Sequence, residues 1–147
     1  MEELPRERLA LAVNAVAAIR GMLDITSNYT QEREAFGKPI SQFQHLRFKF
    51  AEMETKYRLN SAFIKECLNL FQTNSLDTGT ASMAKLASTE AQCEIADTCL
   101  QMFGGYGYMK EYPISRAFAD ARIQKIYGGT SEIMLELISR DSFSNKS

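Results

Sequence analysis

The sequence predicts an all-α fold: an up-down bundle of three long helices followed by shorter C-terminal ones. Three observations carry that reading. Apolar residues recur at spacings of three and four through most of the chain, as one buried helix face requires. Alternating apolar and polar runs, which would mark strands, are essentially absent. The three prolines, Pro5, Pro39 and Pro113, each fall where a helix would begin or break.

The first helix is expected from about Pro5 to Thr30. Proline suits a first helical turn, where its missing N–H would be unpaired anyway. Leu9, Val13, Val16, Ile19 and Leu23 give the apolar stripe, and alanines at 10, 12, 15, 17 and 18 raise helix propensity. Gly37 and Pro39 then break the chain. A second helix is expected from about Ser41 to Phe71, with Phe43, Leu46, Phe50, Met53, Tyr57 and Phe63–Ile64 at helical spacing. Its length, about 45 Å at 1.5 Å per residue, argues for a long bundle. After a polar turn over 74–77, Asp77 caps a third helix reaching about Phe103, with Met83, Leu86, Ala87, Ile95, Cys99 and Met102 as its stripe. A glycine-rich corner over 104–108 follows. Pro113 opens a short helix over about 114–121, and a last helix runs from Ser131 to about Arg140.

At 147 residues and 45% hydrophobic content the chain is one domain's worth with ample core. A net charge of −1 gives no general field for nucleic acid or an acidic membrane. No run of about 18 apolar residues occurs, so no membrane span is expected. The acidic N-terminus, Met1 to Pro5, lacks a signal-peptide pattern and goes at once into helix. That start suggests a piece cut at a domain boundary, and residues 142–147 are expected to fray. Three cysteines without CxxC spacing fit unpaired thiols in a reducing compartment. His45 is the sole histidine, which all but excludes a His-based metal site or a Ser–His–Asp triad. No metal is therefore expected.

Four stretches could carry chemistry. Ile126-Tyr127-Gly128-Gly129-Thr130-Ser131-Glu132-Ile133 places two glycines before a new helix, with Thr130 as cap and Glu132 in the first turn. Backbone N–H groups exposed there would suit phosphates or polarised oxygens, or the stretch is a plain helical corner. Arg33-x-x-Phe36-Gly37-Lys38, with Gln44 further on, joins a cation and an aromatic ring at a turn. It could grip a pyrophosphate and cover a base, or be an exposed charge and an apolar plug. Gln101-x-x-Gly104-Gly105-x-Gly107 ends a helix, so it is no dinucleotide fingerprint; it is a helix cap or a set of exposed amides. Glu7 stands in a first helical turn, where an acid complements the dipole; it becomes a general base only if buried by another domain.

Taken together, Arg-x-x-Phe-Gly-Lys-Pro-Ile, Gln-x-x-Gly-Gly-x-Gly-Tyr, Glu-Tyr-Pro and Ile-Tyr-Gly-Gly-Thr-Ser-Glu-Ile occur in order on a helical chain. From Leu4 to about Arg140 the chain resembles the C-terminal α-domain of the acyl-CoA dehydrogenases. The resemblance implies a bundle domain over 1–141, with the family's N-terminal helical and middle β-domains absent from this chain. It implies FAD as cofactor. Arg33 and Phe36 match the pair that contacts a flavin dinucleotide held mainly by a neighbouring subunit, and Gln44 matches a further contact to it. Gln101, Gly104 and Gly105 match the segment near the adenosine and pyrophosphate. Thr130 and Glu132 match FAD contacts after the catalytic loop; many relatives carry glutamine at the latter position.

The resemblance also locates the base. Short- and medium-chain members carry the catalytic glutamate at the position matching Gly128. The long-chain and isovaleryl branches place it on the first helix of this domain, which here is Glu7. Tyr-Gly-Gly-Thr after Glu-Arg-Leu looks most like the long-chain branch. The Gly128 backbone N–H is then one donor to the substrate thioester carbonyl, and a flavin ribityl hydroxyl the other. Arg8, Tyr127 and Gly129 are expected to help shape the substrate site.

The implied function is α,β-dehydrogenation of a long-chain acyl-CoA to its trans-2-enoyl-CoA in fatty-acid β-oxidation. Expected partners are the acyl-CoA, other copies of the chain in a dimer or tetramer, and an electron-transferring flavoprotein for the full-length enzyme, with no nucleic acid. Relatives work in the mitochondrial matrix or the bacterial cytoplasm. The alternatives are an isovaleryl or branched-chain dehydrogenase, an acyl-CoA oxidase, or a non-catalytic helical oligomerisation module.

Overall fold

A computed structural model of the chain describes residues 3–144. It contains five α-helices: α1 (Glu3–Glu32), α2 (Gln44–Gln72), α3 (Thr78–Phe103), α4 (Pro113–Gln124) and α5 (Ser131–Ser144). Two strands of two residues each, β1 (Glu34–Ala35) and β2 (Lys38–Pro39), form a hairpin between α1 and α2. Short 3-10 turns occupy Ile40–Gln42 and Gly104–Tyr108. The all-α bundle expected from the periodicity is therefore present, with one small hairpin that the pattern did not reveal.

The direction of each long helix follows from its contacts. Arg8 meets Ser82 and Tyr29 meets Phe103, so α1 and α3 run parallel. Lys56 pairs with Glu94 and Cys99 donates weakly to the Met53 sulfur, so α2 runs opposite to both. The order is up, down, up.

Helix α3 is the centre and packs against all four other helices. Its sequence explains this. Ala81, Ala84, Ala91 and Ala96 are small enough to admit close neighbours, and Ile95, Cys99 and Phe103 fill the space between them. The hydroxyls of Ser82, Ser88 and Thr89 are buried, and each donates to the carbonyl four residues back. A polar residue is thereby tolerated inside. The stripe expected from the sequence is corrected here: Met83 and Ala87 face out, on an edge with Glu94, Asp97 and Gln101. In a central helix the exposed positions form the narrow stripe and the buried ones the wide face.

Helix α1 buries Leu9, Ala12, Val16, Ile19 and Leu23 against α3, and Val13 lies outside the stripe. By length and composition α1 is apolar enough to cross a bilayer, although no unbroken run of 18 apolar residues exists. Its apolar face is instead the core of the bundle. The helix starts at Glu3, so Pro5 is its third residue, still within the turn whose N–H groups lack helical partners. Helix α5 continues through Ser144, past the expected end near Arg140 and into the stretch expected to fray. Residues 145–147 and Met1–Glu2 lie outside the described residues. Cys67, Cys93 and Cys99 are unpaired.

Candidate functional site

The candidate residues gather at two places. The first is a cleft of about 1140 Å³ between the hairpin, the start of α2 and the end of α3. Arg33, Phe36, Gln101, Gly104 and Gly105 all line it, so two sequence motifs far apart in the chain form one wall. Tyr29, Phe103 and Tyr106 lie beside them.

The hairpin's geometry explains the first motif. Phe36 (φ 53°) and Gly37 (φ 77°) form a two-residue turn with both residues left-handed, the arrangement that suits the twist of a tight hairpin. Glycine accepts that conformation freely; phenylalanine is strained in it by about 1–2 kcal/mol. The strained ring is 95% exposed and meets the Phe43 ring edge-on at 6.1 Å. The turn thus holds a large apolar ring in solvent at a conformational cost.

The Arg33 guanidinium lies over the Tyr106 ring, 5.5 Å from its centroid. Tyr29 stacks on Phe103 at 4.0 Å and donates to its carbonyl. These rings hold the end of α3 beside the end of α1. Helix α3 stops because Gly104 adopts φ 59°, ψ −138°, a conformation open essentially to glycine alone. A Cβ at 104 or 105 would meet nothing within 4 Å, so the backbone there is open to approach. A cation, an amide side chain, exposed backbone and an outward aromatic ring form a donor set that fits a dinucleotide's pyrophosphate and ring system. Gln44 opens α2 and is exposed, but does not line the cleft; its neighbours His45 and Leu46 do.

The second place is the loop over 125–130. Gly128 (φ 65°) and Gly129 (φ 100°) are both left-handed. A Cβ at 128 would overlap Leu11 Cδ1, and one at 129 would lie 2.6 Å from Met134 Cε. The first helix thus lies against this loop. Glu7 is exposed on α1, one turn before Leu11 and on the same face. Tyr127 and Gly128 are exposed and Gly129 is half-buried.

Both ends of the loop are tied to Glu90 on α3. Its carboxylate accepts from Lys125 Nζ at 2.5 Å and from Ser131 Oγ at 2.7 Å. Burial pushes the Glu90 carboxyl up, but those two hydrogen bonds and the Lys125 charge outweigh it, and the group sits below the ordinary glutamate value. Thr130 Oγ1 accepts from Ile133 N–H at 3.4 Å, the cap expected for α5. Glu132 is exposed; its own N–H and then the Thr130 hydroxyl hold its carboxyl below the usual range.

Sequence reasoning missed two contributors, Lys85 and Leu11, and left the burial of Arg8 unseen. Lys85 is fully buried and donates to the Gly129 carbonyl at 2.6 Å. Burial first, and then the Arg8 charge, hold its ammonium below the ordinary lysine value. Arg8 is itself buried and reaches Ser82 Oγ at 3.5 Å. Leu11 was unremarkable in the sequence. The available signal was Lys85's place among alanines and serines, where a solvated charge does not belong.

Comparisons with known proteins identify the family of the bundle. The family model described as acyl-CoA dehydrogenase, C-terminal domain, matches residues 1–143. The mitochondrial long-chain specific acyl-CoA dehydrogenase of Mus musculus is 48% identical over 145 residues, 99% of this chain and 34% of the relative. The chain thus spans about a third of the length of the curated relatives it matches. An acyl-CoA dehydrogenase from Geobacillus kaustophilus superposes with a TM-score of 0.95 at 38% identity, over 97% of this chain and 38% of that one. A glutaryl-CoA dehydrogenase from Mycobacterium smegmatis, solved in complex with FADH2, superposes at 0.92 with 27% identity, over 98% of this chain and 37% of that one. The family consists of FAD-dependent oxidoreductases. With four motifs, the bundle and the whole length in agreement, the chain belongs to the acyl-CoA dehydrogenase family, as its C-terminal α-helical domain.

Proposed function

We propose that this chain supplies the base and part of the cofactor site of a long-chain-type acyl-CoA dehydrogenase acting in fatty-acid β-oxidation. The observation that carries the reading is the contact between Leu11 and Gly128. It sets the first turns of α1, with Glu7, beside a loop that has lost any side chain at its tip.

The thioester's α-proton is weakly acidic, and its removal needs a nearby base and donors to the carbonyl oxygen. The Gly128 N–H is one donor, because a backbone group survives the loss of a side chain. Glu7 takes the α-proton. Its carboxylate is solvated in the chain alone, and bound acyl chain together with the rest of the enzyme would desolvate it and raise its proton affinity. Arg8 is anchored in the core and keeps the backbone at Glu7 in place. Tyr127 and Gly129 shape the loop around the substrate.

At the cleft, Arg33, Gln101 and the backbone of Gly104 and Gly105 would hold the pyrophosphate and adenosine of FAD, and Phe36 would cover part of it. Thr130 and Glu132 would contact it after the loop, with Gln44 a more distant contact. When bound, FAD supplies the acceptor for the β-hydride. The outward Phe36 fits a cofactor seated mainly on a neighbouring subunit, and hence a dimer or tetramer of the full-length protein. An electron-transferring flavoprotein would reoxidise it. The setting is the mitochondrial matrix in a eukaryotic source and the cytoplasm in a bacterial one.

The test is a product assay on a full-length protein carrying this domain. Saturated long-chain acyl-CoA should yield trans-2-enoyl-CoA with an artificial electron acceptor, and residues 1–147 alone should yield none. Robust turnover by 1–147 alone, or no enoyl-CoA from the full-length protein at any chain length, would refute the proposal.

A further inference from the structure

The group at the loop that the mechanism does not use is the buried ammonium of Lys85. A lysine with 0% exposure is rare, because burying its charge costs more than most neighbours repay. This one sits in the first third of α3, and its Nζ reaches 2.6 Å from the Gly129 carbonyl, 44 residues on. Arg8 lies close enough to add a second positive charge behind it, and Glu90 an opposing negative one.

The loop gives that bond its consequence. Gly128 and Gly129 are consecutive and both left-handed, so no side chain restricts their backbone. Glu90 secures the flanks at Lys125 and Ser131. Between those flanks the Lys85 bond is the side-chain tether to the glycine backbone. Fixing the Gly129 carbonyl limits how the two preceding peptide planes can turn, including the one carrying the Gly128 N–H.

We propose that Lys85 is a positioning residue for the reaction: from inside the bundle it clamps the Gly128–Gly129 backbone so that the Gly128 N–H faces the substrate. It touches neither substrate nor cofactor. The assignment rests on the proposed role of the Gly128 N–H.

The experiment uses the full-length protein with Lys85→Met, of similar length and apolar, and Lys85→Arg. Hydrogen exchange of the 126–131 amides reads the clamp without any catalysis. Lys85→Met should speed that exchange about tenfold or more, with α1 and the middle of α3 unchanged. Turnover per bound flavin should fall tenfold or more while KM moves less than threefold, and Lys85→Arg should recover part of both. Unchanged loop exchange overturns the proposal. So does faster loop exchange with unchanged turnover per flavin, which would make Lys85 purely structural. Where Lys85→Met does not fold, Lys85→Gln, too short to reach the same carbonyl, takes its place with the same expected and overturning results. Glu7→Gln run in parallel separates the two ideas. If Glu7→Gln keeps full turnover, the reading of the catalytic site fails, whereas the exchange result still judges the clamp.

Discussion

Leu11 on α1 occupies the space that a side chain at Gly128 would need. The loop and the first helix are therefore in contact, and a side chain at 128 would have to displace the Leu11 side chain. Gly128→Glu would put a side chain at φ 65° and into Leu11 Cδ1. Backbone strain of about 1–2 kcal/mol and overpacking of about 1–3 kcal/mol should together lower stability by roughly 2–5 kcal/mol. Adding Leu11→Ala should relieve the overpacking alone. Urea unfolding of the single and double variants should give a coupling of about 1 kcal/mol or more; additive effects would mean that the two positions do not meet.

Phe36 offers the opposite case, a residue whose replacement should stabilise the chain. It is 95% exposed and left-handed, so it contributes strain and little burial. Phe36→Asn creates Asn-Gly, the preferred pair for this hairpin turn. Thermal unfolding of 1–147 should show a gain of about 0.5–1 kcal/mol. The same change in the full-length protein should weaken flavin retention, measured by the flavin-to-protein ratio after gel filtration. Retention equal to wild type would remove Phe36 from the cofactor site.

Asp77 gives a prediction in pH. It caps α3, accepting from Thr80 N–H at 2.7 Å and from Thr80 Oγ1 at 2.6 Å. Burial pushes its carboxyl up, but the Thr80 hydroxyl and the backbone N–H groups outweigh that, and the group sits below the ordinary aspartate value. A carboxyl lowered by folding contributes stability above its unfolded value, near pH 4, and loses it as pH falls through the folded value. Asp77→Ala should cost about 1 kcal/mol at pH 7. That cost should shrink below about pH 4, as shown by unfolding midpoints measured from pH 7 to 2.5. A cost independent of pH would contradict the assignment.

The sequence made the helices legible because their apolar periodicity is local, and Asp77, Pro113 and Thr130 marked where three of them start. It also made one cluster legible as motifs: Arg33, Phe36, Gln101, Gly104 and Gly105 do meet in one cleft. The hairpin escaped notice because two-residue strands are too short to alternate. The α3 stripe was misjudged because large residues such as Met83 outweighed alanines, although in a central helix close approach selects the small ones. Lys85 and Leu11 were illegible for a different reason. Each acts through a contact with the 128–129 backbone more than 40 residues away, and a backbone partner leaves no mark in the side-chain pattern.

The most direct test of the whole account is Glu7→Gln in the full-length enzyme, assayed for acyl-CoA oxidation per bound flavin. Glu7 is exposed in this chain and replaces no core contact, so folding and flavin content should hold. Loss of a positioned general base should lower turnover by about 10²–10⁴-fold. Turnover within about twofold of the wild type, with Glu7 replaced, would contradict the claim that the base has left the glycine loop for the first helix.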